Sequence, residues 1–280
     1  MRVASIPSIR CCRTDVVMTF KVVIPARYGS TRLPAKALLD IAGRPMIQWV
    51  IDAALRSCAD EVLVATDDVR VAEVAVHRDH PSRKFSLLTS SLHQSGTDRI
   101  AEVAQVREWD AATIVVNVQG DEPQLPPALI DQVAGLLVDH PEAEVATLST
   151  AIVSLSELLD PNVVKVVTDT NGLALYFSRA PIPWGRDTLD ENSRQTSFAA
   201  AQRHLGIYAY RVGALRRLTA LPPSELESIE RLEQLRALQA GMRIAVAAAT
   251  TVPGIGVDTE HDLARVRAML ANRDVAQSDD

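Results

Sequence analysis

Phe20-Lys21-Val22-Val23-Ile24-Pro25-Ala26-Arg27-Tyr28-Gly29-Ser30-Thr31-Arg32-Leu33-Pro34-Ala35-Lys36 is the stretch that decides the fold. A short apolar run, residues 22–24, breaks at Pro25. The loop that follows carries three cations (Arg27, Arg32 and Lys36), one glycine and two hydroxyls. A buried strand emptying into a cationic, hydrogen-bonding loop is how α/β proteins build a phosphate site. The strand end aims the loop, backbone N–H groups approach the anion, and the cations neutralise it. The spacing is neither GxxxxGK[ST] nor GxGxxG, so neither an ATPase P-loop nor a dinucleotide fingerprint is indicated.

Working outward, Met46, Ile47, Val50, Ile51, Ala54 and Leu55 make a helical stripe. Residues 61–66 read as a buried strand ending in Asp67-Asp68, and a helix is predicted over 69–76. Strand, helix, strand, helix at this spacing argues a parallel sheet with crossovers. Residues 77–92 read as irregular; His77, His80 and His93 fall here without metal-ligand spacing and are expected to be solvated. A third strand, 113–118, ends in Gln119-Gly120-Asp121-Glu122-Pro123. A helix over 127–138 and a strand over 144–150 follow.

Between 163 and 211 the pattern changes to three β-like runs (163–168, 173–178 and 206–210) and a Pro/Gly-rich loop. This predicts an inserted antiparallel subdomain, with 187–197 polar and mobile. Residues 224–240 predict one helix, its Leu and Ile at 226, 229, 232, 235 and 238. That three-residue step drifts around the surface, so the helix is expected to bury more than one side. A last strand spans 243–250. Thr259 and Asp262 resemble a capping box that opens a terminal helix with Leu263, Val266 and Leu270 inward.

The chain has 280 residues, 47% of them hydrophobic, enough for a large α/β core. A net charge of −6 disfavours coating a nucleic acid, and cations focused in one cleft still suit a nucleotide. Three cysteines, two of them adjacent, make neither a disulfide framework nor a zinc site, and a reducing cytoplasm is expected. No apolar stretch is long enough to span a membrane. Residues 1–17 carry Arg2, Arg10 and Arg13 and no signal-peptide core. They are expected to be a disordered extension before a domain over 18–280 that starts at Met18.

The loop at 27–36 resembles the sugar nucleotidyltransferases, and most closely the 3-deoxy-manno-octulosonate (Kdo) cytidylyltransferases. Five further segments look like motifs of that family, in its order: His93-Gln94-Ser95-Gly96-Thr97-Asp98-Arg99, Asn117 to Pro123, Tyr176-Phe177-Ser178-Arg179, Arg203 to Tyr208, and Gly256-Val257-Asp258-Thr259. They cover residues 20 to 270. The chain departs from the family at 78–84, where a Gly-Gly-Glu-like turn is usual, and at Ser90-Ser91-Leu92.

The resemblance implies a Rossmann-like three-layer mixed sheet of the nucleotide-diphospho-sugar transferase type, with 163–211 as an acceptor and dimerisation subdomain. It implies transfer from CTP to Kdo for lipopolysaccharide synthesis, and a cytoplasmic homodimer.

Nucleotidyl transfer needs a held triphosphate, a neutralised leaving group and an aligned hydroxyl, usually with a divalent ion. Mg²⁺ takes one or two carboxylates plus phosphate oxygens and waters. Asp121, after a glycine at a strand end, fits a ligand role, and Asp258 sits in a comparable place; the matching aspartates hold the metal in the family. Lys36 and Arg27 are expected at the phosphates, and Arg32 at phosphate or sugar acid. The resemblance adds Ala26, Ser30, Gly96, Thr97, Asp98 and Arg99 as CTP contacts, with Thr97 or Asp98 also able to cap a helix. For the acceptor it points to Gln119, Arg179, His204, Tyr208, Glu233 and Gln234, an inventory suited to an anionic polyol, with Arg179 and His204 sharing its negative charge. Rival readings are another keto-acid sugar as acceptor, or a binding module that lost its chemistry.

Overall fold

The strand expected at 22–24 forms as β1 (Lys21–Pro25), and its three central residues have no exposure. It is buried because strands flank it on both sides: Val22 lies opposite Val62 on one side and Val116 on the other, both in parallel register. The computed structural model describes residues 19–29, 33–77, 80–186 and 200–277. The extension 1–17, Ser30, Arg32, Arg78, Asp79 and the segment 187–197 lie outside the described residues.

Among the described residues, nine strands form one sheet. After β1 come β2 (Glu61–Thr66), β3 (Ser86–Leu88), β4 (Ile114–Asn117) and β5 (Val145–Ala151). Then follow β6 (Lys165–Thr168), β7 (Ala174–Ser178), β8 (Gln202–Arg211) and β9 (Ile244–Ala248). The order is β7-β6-β8-β4-β1-β2-β3, and β5 pairs with both β8 and β9. The pairs β1–β2, β1–β4, β2–β3 and β5–β9 are parallel. The strands expected in the insertion are antiparallel and continue this sheet, with β8 pairing antiparallel to β4, β5 and β6.

The helices are α1 (Met46–Leu55), α2 (Val69–Val74), α3 (Gly96–Val106), α4 (Pro127–Asp139) and α5 (Leu155–Leu159), then α6 (Val212–Ala220), α7 (Glu225–Glu230), α8 (Gln234–Gln239) and α9 (Glu260–Gln277). On one face, α1 and α4 pack Ile47, Val50, Leu129, Ile130 and Val133 on Val22, Ile24, Val64 and Val116. Each such fully buried side chain stabilises the fold by about 1.5–3 kcal/mol. On the other face, α3, α6 and α8 pack Ile100, Val103, Leu215, Leu218 and Leu235 on Val23, Val115, Val145 and Tyr210. That makes three layers. Leu263, Val266 and Leu270 of α9 close a smaller core with Leu33, Ile41 and Met46, and Thr259 and Asp262 form the expected reciprocal bonds before it.

Two expectations fail. The stretch 77–92 is not irregular. It holds a ladder of Val76–His77 with His80–Lys84, and then the edge strand β3, which begins beside the buried Phe85. The pairing comes from β2, which a short polar run cannot reveal. The helix expected over 224–240 is two, because Arg231 takes a left-handed φ of 55°. The break turns Leu232 and Leu235 into the core and leaves Ile229 70% exposed, so no single helix has to bury the drifting row.

Candidate active site

The carboxyl ends of β1 and β4 lie side by side, which is where open α/β sheets bind ligands. Leaving β1, the Ala26 N–H still donates to Ala65 O at 2.9 Å, and Ala26 is buried while Arg27 is exposed. The loop closes where Ala35 N–H donates to Tyr28 O at 3.2 Å. Ala35 has a left-handed φ of 54° and leads into a short 3₁₀ turn, Lys36–Leu38. That turn places the ammonium.

From β4, the chain turns through Gln119 to Glu122. A Cβ on Gly120 would sit 3.1 Å from Pro25 O, so glycine is what lets this turn approach the loop. Val257 N–H donates to Asp121 O at 2.9 Å and brings the segment before α9 alongside. Lys36 Nζ therefore lies 2.6 Å from Asp121 Oδ2 and 2.8 Å from Asp258 Oδ1. The three residues expected at the phosphate and metal positions meet at one point. Asp258 is not the helix cap; Thr259 fills that role. A cation already sits between the two carboxylates, so their placement fits a divalent ion with a two-carboxylate protein shell. Among the described residues no group of three or more His, Cys, Asp or Glu is placed to hold a metal ion by itself, and His93 is paired with Glu102 rather than solvated.

Glu122, which sequence reasoning did not single out, also belongs here. Burial pushes its carboxyl up to about 7; Asp121 and Asp258 add repulsion and Arg203 opposes them.

Beside this cluster lies a cavity of about 180 Å³ lined by Gly96, Thr97, Asn117, Gln119, Tyr208, Tyr210, Glu233 and Gln234, with Val145, Leu218, Ala237 and Ile244 as its apolar part. Six residues expected at CTP or acceptor therefore share one hollow. Gln119 reaches over to donate to Gly206 O at 3.4 Å. Tyr208 stacks on Tyr210 with centroids 5.8 Å apart. Burial pushes the Tyr208 phenol and the Glu233 carboxyl above their ordinary ranges.

Other expected residues are placed differently. Ser95, not Thr97 or Asp98, caps α3, and Asp98 returns the bond to the Ser95 N–H. Arg99 is only 3% exposed; it pairs with Asp67 at 2.9 Å and donates to Thr89 Oγ1, so its charge is spent inside the protein. Arg179 does not line the cavity. Its guanidinium donates to Glu230 O at 2.7 Å and Pro161 O at 2.9 Å. His204 Nε2 sits 3.0 Å from Thr147 Oγ1, and its ring meets Phe177 edge-on. Burial lowers its pKa to about 3. The ring is neutral near pH 7, so the expected sharing of charge between Arg179 and His204 does not hold. Sequence reasoning counted the imidazole and had no view of its burial.

The fold and site thus define an α/β protein of the nucleotidyltransferase class, and the profile of the family described as Cytidylyltransferase matches residues 21–244. A 3-deoxy-manno-octulosonate cytidylyltransferase of Nitrosococcus oceani is 51% identical over 259 residues, 92% of this chain and 98% of that one. One from Aeromonas hydrophila is 54% identical over 255 residues, 91% of this chain and all of that one. The solved structure of CMP:2-keto-3-deoxy-manno-octonic acid synthetase complexed with CTP superposes with a TM-score of 0.80 at 42% identity, covering 91% of this chain and 99% of that one. The chain belongs to the 3-deoxy-manno-octulosonate cytidylyltransferase family.

Proposed function

We infer that this protein activates Kdo with CTP, giving CMP-Kdo and diphosphate. The observation that carries the reading is the meeting of Lys36, Asp121 and Asp258 beside a cavity walled by uncharged hydrogen-bonding side chains and one half-buried acid, Glu233. The names and coverage of the relatives support it.

In this reading Arg27 and Lys36 hold the triphosphate, and Lys36 follows the charge that moves onto the departing diphosphate. Asp121 and Asp258 hold Mg²⁺, which supplies charge neutralisation at the phosphates when bound. Gly96 and Thr97 meet the nucleoside at the mouth of α3. The acceptor sits against Gln119, Tyr208, Glu233 and Gln234. The anomeric hydroxyl oxygen bonds to the α-phosphorus as the bond to the β-phosphate oxygen breaks. Among the described residues no side chain is placed as a covalent nucleophile, so direct displacement is preferred to a covalent intermediate. We further place the reaction in the cytoplasm, serving lipopolysaccharide synthesis, in a homodimer that uses 163–211.

The test is diphosphate release with CTP, Mg²⁺ and a panel of keto-acid sugars. Kdo should be the preferred acceptor. No release with Kdo, or faster turnover of a sialic acid, would overturn the assignment. Light scattering decides the dimer.

A further inference from the structure

The Asp258 side chain is 52% exposed, so little packing fixes its carboxylate beside Asp121. Its place depends on the backbone that carries it. On the C-terminal side, the Asp258 N–H donates to Asp262 Oδ2 of α9 at 3.2 Å. On the N-terminal side, the segment 254–257 runs against the turn that carries Asp121. Val257 N–H donates to Asp121 O at 2.9 Å, and two residues earlier Ile255 N–H donates to Gln124 Oε1 at 3.4 Å. The other end of that amide, Gln124 Nε2, meets Met269 Sδ of α9 at 3.7 Å, a weak acceptor. One side chain thus bonds both to the segment before Asp258 and to the helix after it.

Gly254 shows how closely the two stretches run. A Cβ there would lie 2.3 Å from Gln124 Cβ and 3.2 Å from Gln124 O. A Cβ on Gly256 would meet Asp121 O and Glu122 Cγ only at 3.9 Å, an ordinary contact. The φ of Gly254 lies outside the left-handed region, so backbone conformation does not call for glycine at this position. The approach to Gln124 does.

We propose that Gln124 is a positioning residue for the metal. Docked on Gly254, it fastens the segment 254–257 to the Asp121 turn and so sets the separation of the Asp121 and Asp258 carboxylates; this rests on those two carboxylates holding the ion. Groups that orient metal ligands are worth about tenfold to a hundredfold in affinity. Gln124 acts one step further back, through the backbone, so its own effect is smaller.

The test reads metal affinity rather than turnover. Mn²⁺ binding to the full-length, nucleotide-free protein is followed by electron paramagnetic resonance in wild type, Gln124→Met, Gly254→Ala, Asp258→Asn and the Gln124→Met, Asp258→Asn pair. Gln124→Met keeps the length of the side chain and loses its amide, and it should bind Mn²⁺ about fivefold more weakly. Gly254→Ala forces the two stretches apart and should lose about tenfold or more. Once Asp258 has lost its charge, Gln124→Met should cost less than about 1.5-fold further, because it acts through that carboxylate. A purely structural role would lower Tm and leave these ratios alone.

If either variant fails to fold, hydrogen exchange in the unaltered protein replaces it. Saturating Mg²⁺ should slow exchange of the Ile255 and Val257 amides severalfold, since bonds that favour the ion are favoured by it. Wild-type Mn²⁺ affinity in Gln124→Met or Gly254→Ala, an undiminished further loss on Asp258→Asn, or exchange indifferent to Mg²⁺ overturns the proposal and leaves the two-carboxylate site standing. Unchanged Mn²⁺ affinity in Asp258→Asn overturns that site and the proposal with it.

Discussion

Lys36→Met takes away a positive charge that Asp121 and Asp258 share. With Nζ 2.6 Å from one oxygen and 2.8 Å from the other, the two carboxylate oxygens stand about 5 Å apart or less. Two unit charges about 5 Å apart repel by about 1 kcal/mol in water and about 3 kcal/mol at an effective dielectric near 20. The Asp258 side chain is 52% exposed and that of Asp121 34%, so the lower figure applies.

Two effects of opposite sign follow. Without nucleotide, the variant should lose about 2–4 °C in Tm and bind a divalent ion about fivefold more tightly, because the ion no longer competes with an ammonium. With CTP, the variant should bind nucleotide more weakly and turn over more slowly, since the lost charge faces the leaving diphosphate. Lys36→Arg keeps the charge, so it should not raise metal affinity. It should restore turnover only in part, because a forked guanidinium is not a point charge. Mn²⁺ binding followed by electron paramagnetic resonance, with Mg²⁺ as competitor, reads the first effect, and diphosphate release the second. Unchanged or weaker Mn²⁺ binding in Lys36→Met would refute the shared cation seat, as would an equal rise in Lys36→Arg.

Asp121→Asn and Asp258→Asn should each lose most turnover with the fold intact, since removing one metal carboxylate costs several kcal/mol of transition-state stabilisation; near-normal rates at limiting Mg²⁺ in either variant would remove that residue from the metal. Arg179→Ala, which removes two bonds to carbonyls outside the cavity, should lower the urea midpoint and leave Kdo and CTP binding little changed by calorimetry. A selective loss of Kdo binding would give Arg179 the acceptor role that its position in the fold does not. The neutral His204 makes an acid-side prediction: its folded pKa is lowered to about 3 from 6.5, so the unfolded chain binds the extra proton and stability falls as pH drops through 6.5 toward 3. His204→Gln should flatten that fall in urea midpoints measured at about pH 7 and about pH 5; an equal fall in both proteins would mean the ring protonates in place.

Positions defined by the end of a strand were legible in the amino-acid sequence. Parallel strands buried on both faces appear as apolar runs, so β1, β2 and β4 declare themselves, and with them Lys36 and Asp121 in the loops they feed. Asp258 was legible for a related reason, because Thr259 and Asp262 announce the start of α9 just after it. What the sequence could not show is which side chains have been used up by tertiary partners. Arg99 sits in a motif that suggests a nucleotide contact, yet its partner Asp67 is 32 residues earlier and takes the charge inside. Arg179 meets the carbonyls of Glu230 and Pro161, and His204 loses its proton to burial; neither depends on local pattern. A residue type therefore names the chemistry available at a position, and the hydrogen bonds already made in the folded protein decide how much of it remains for a ligand.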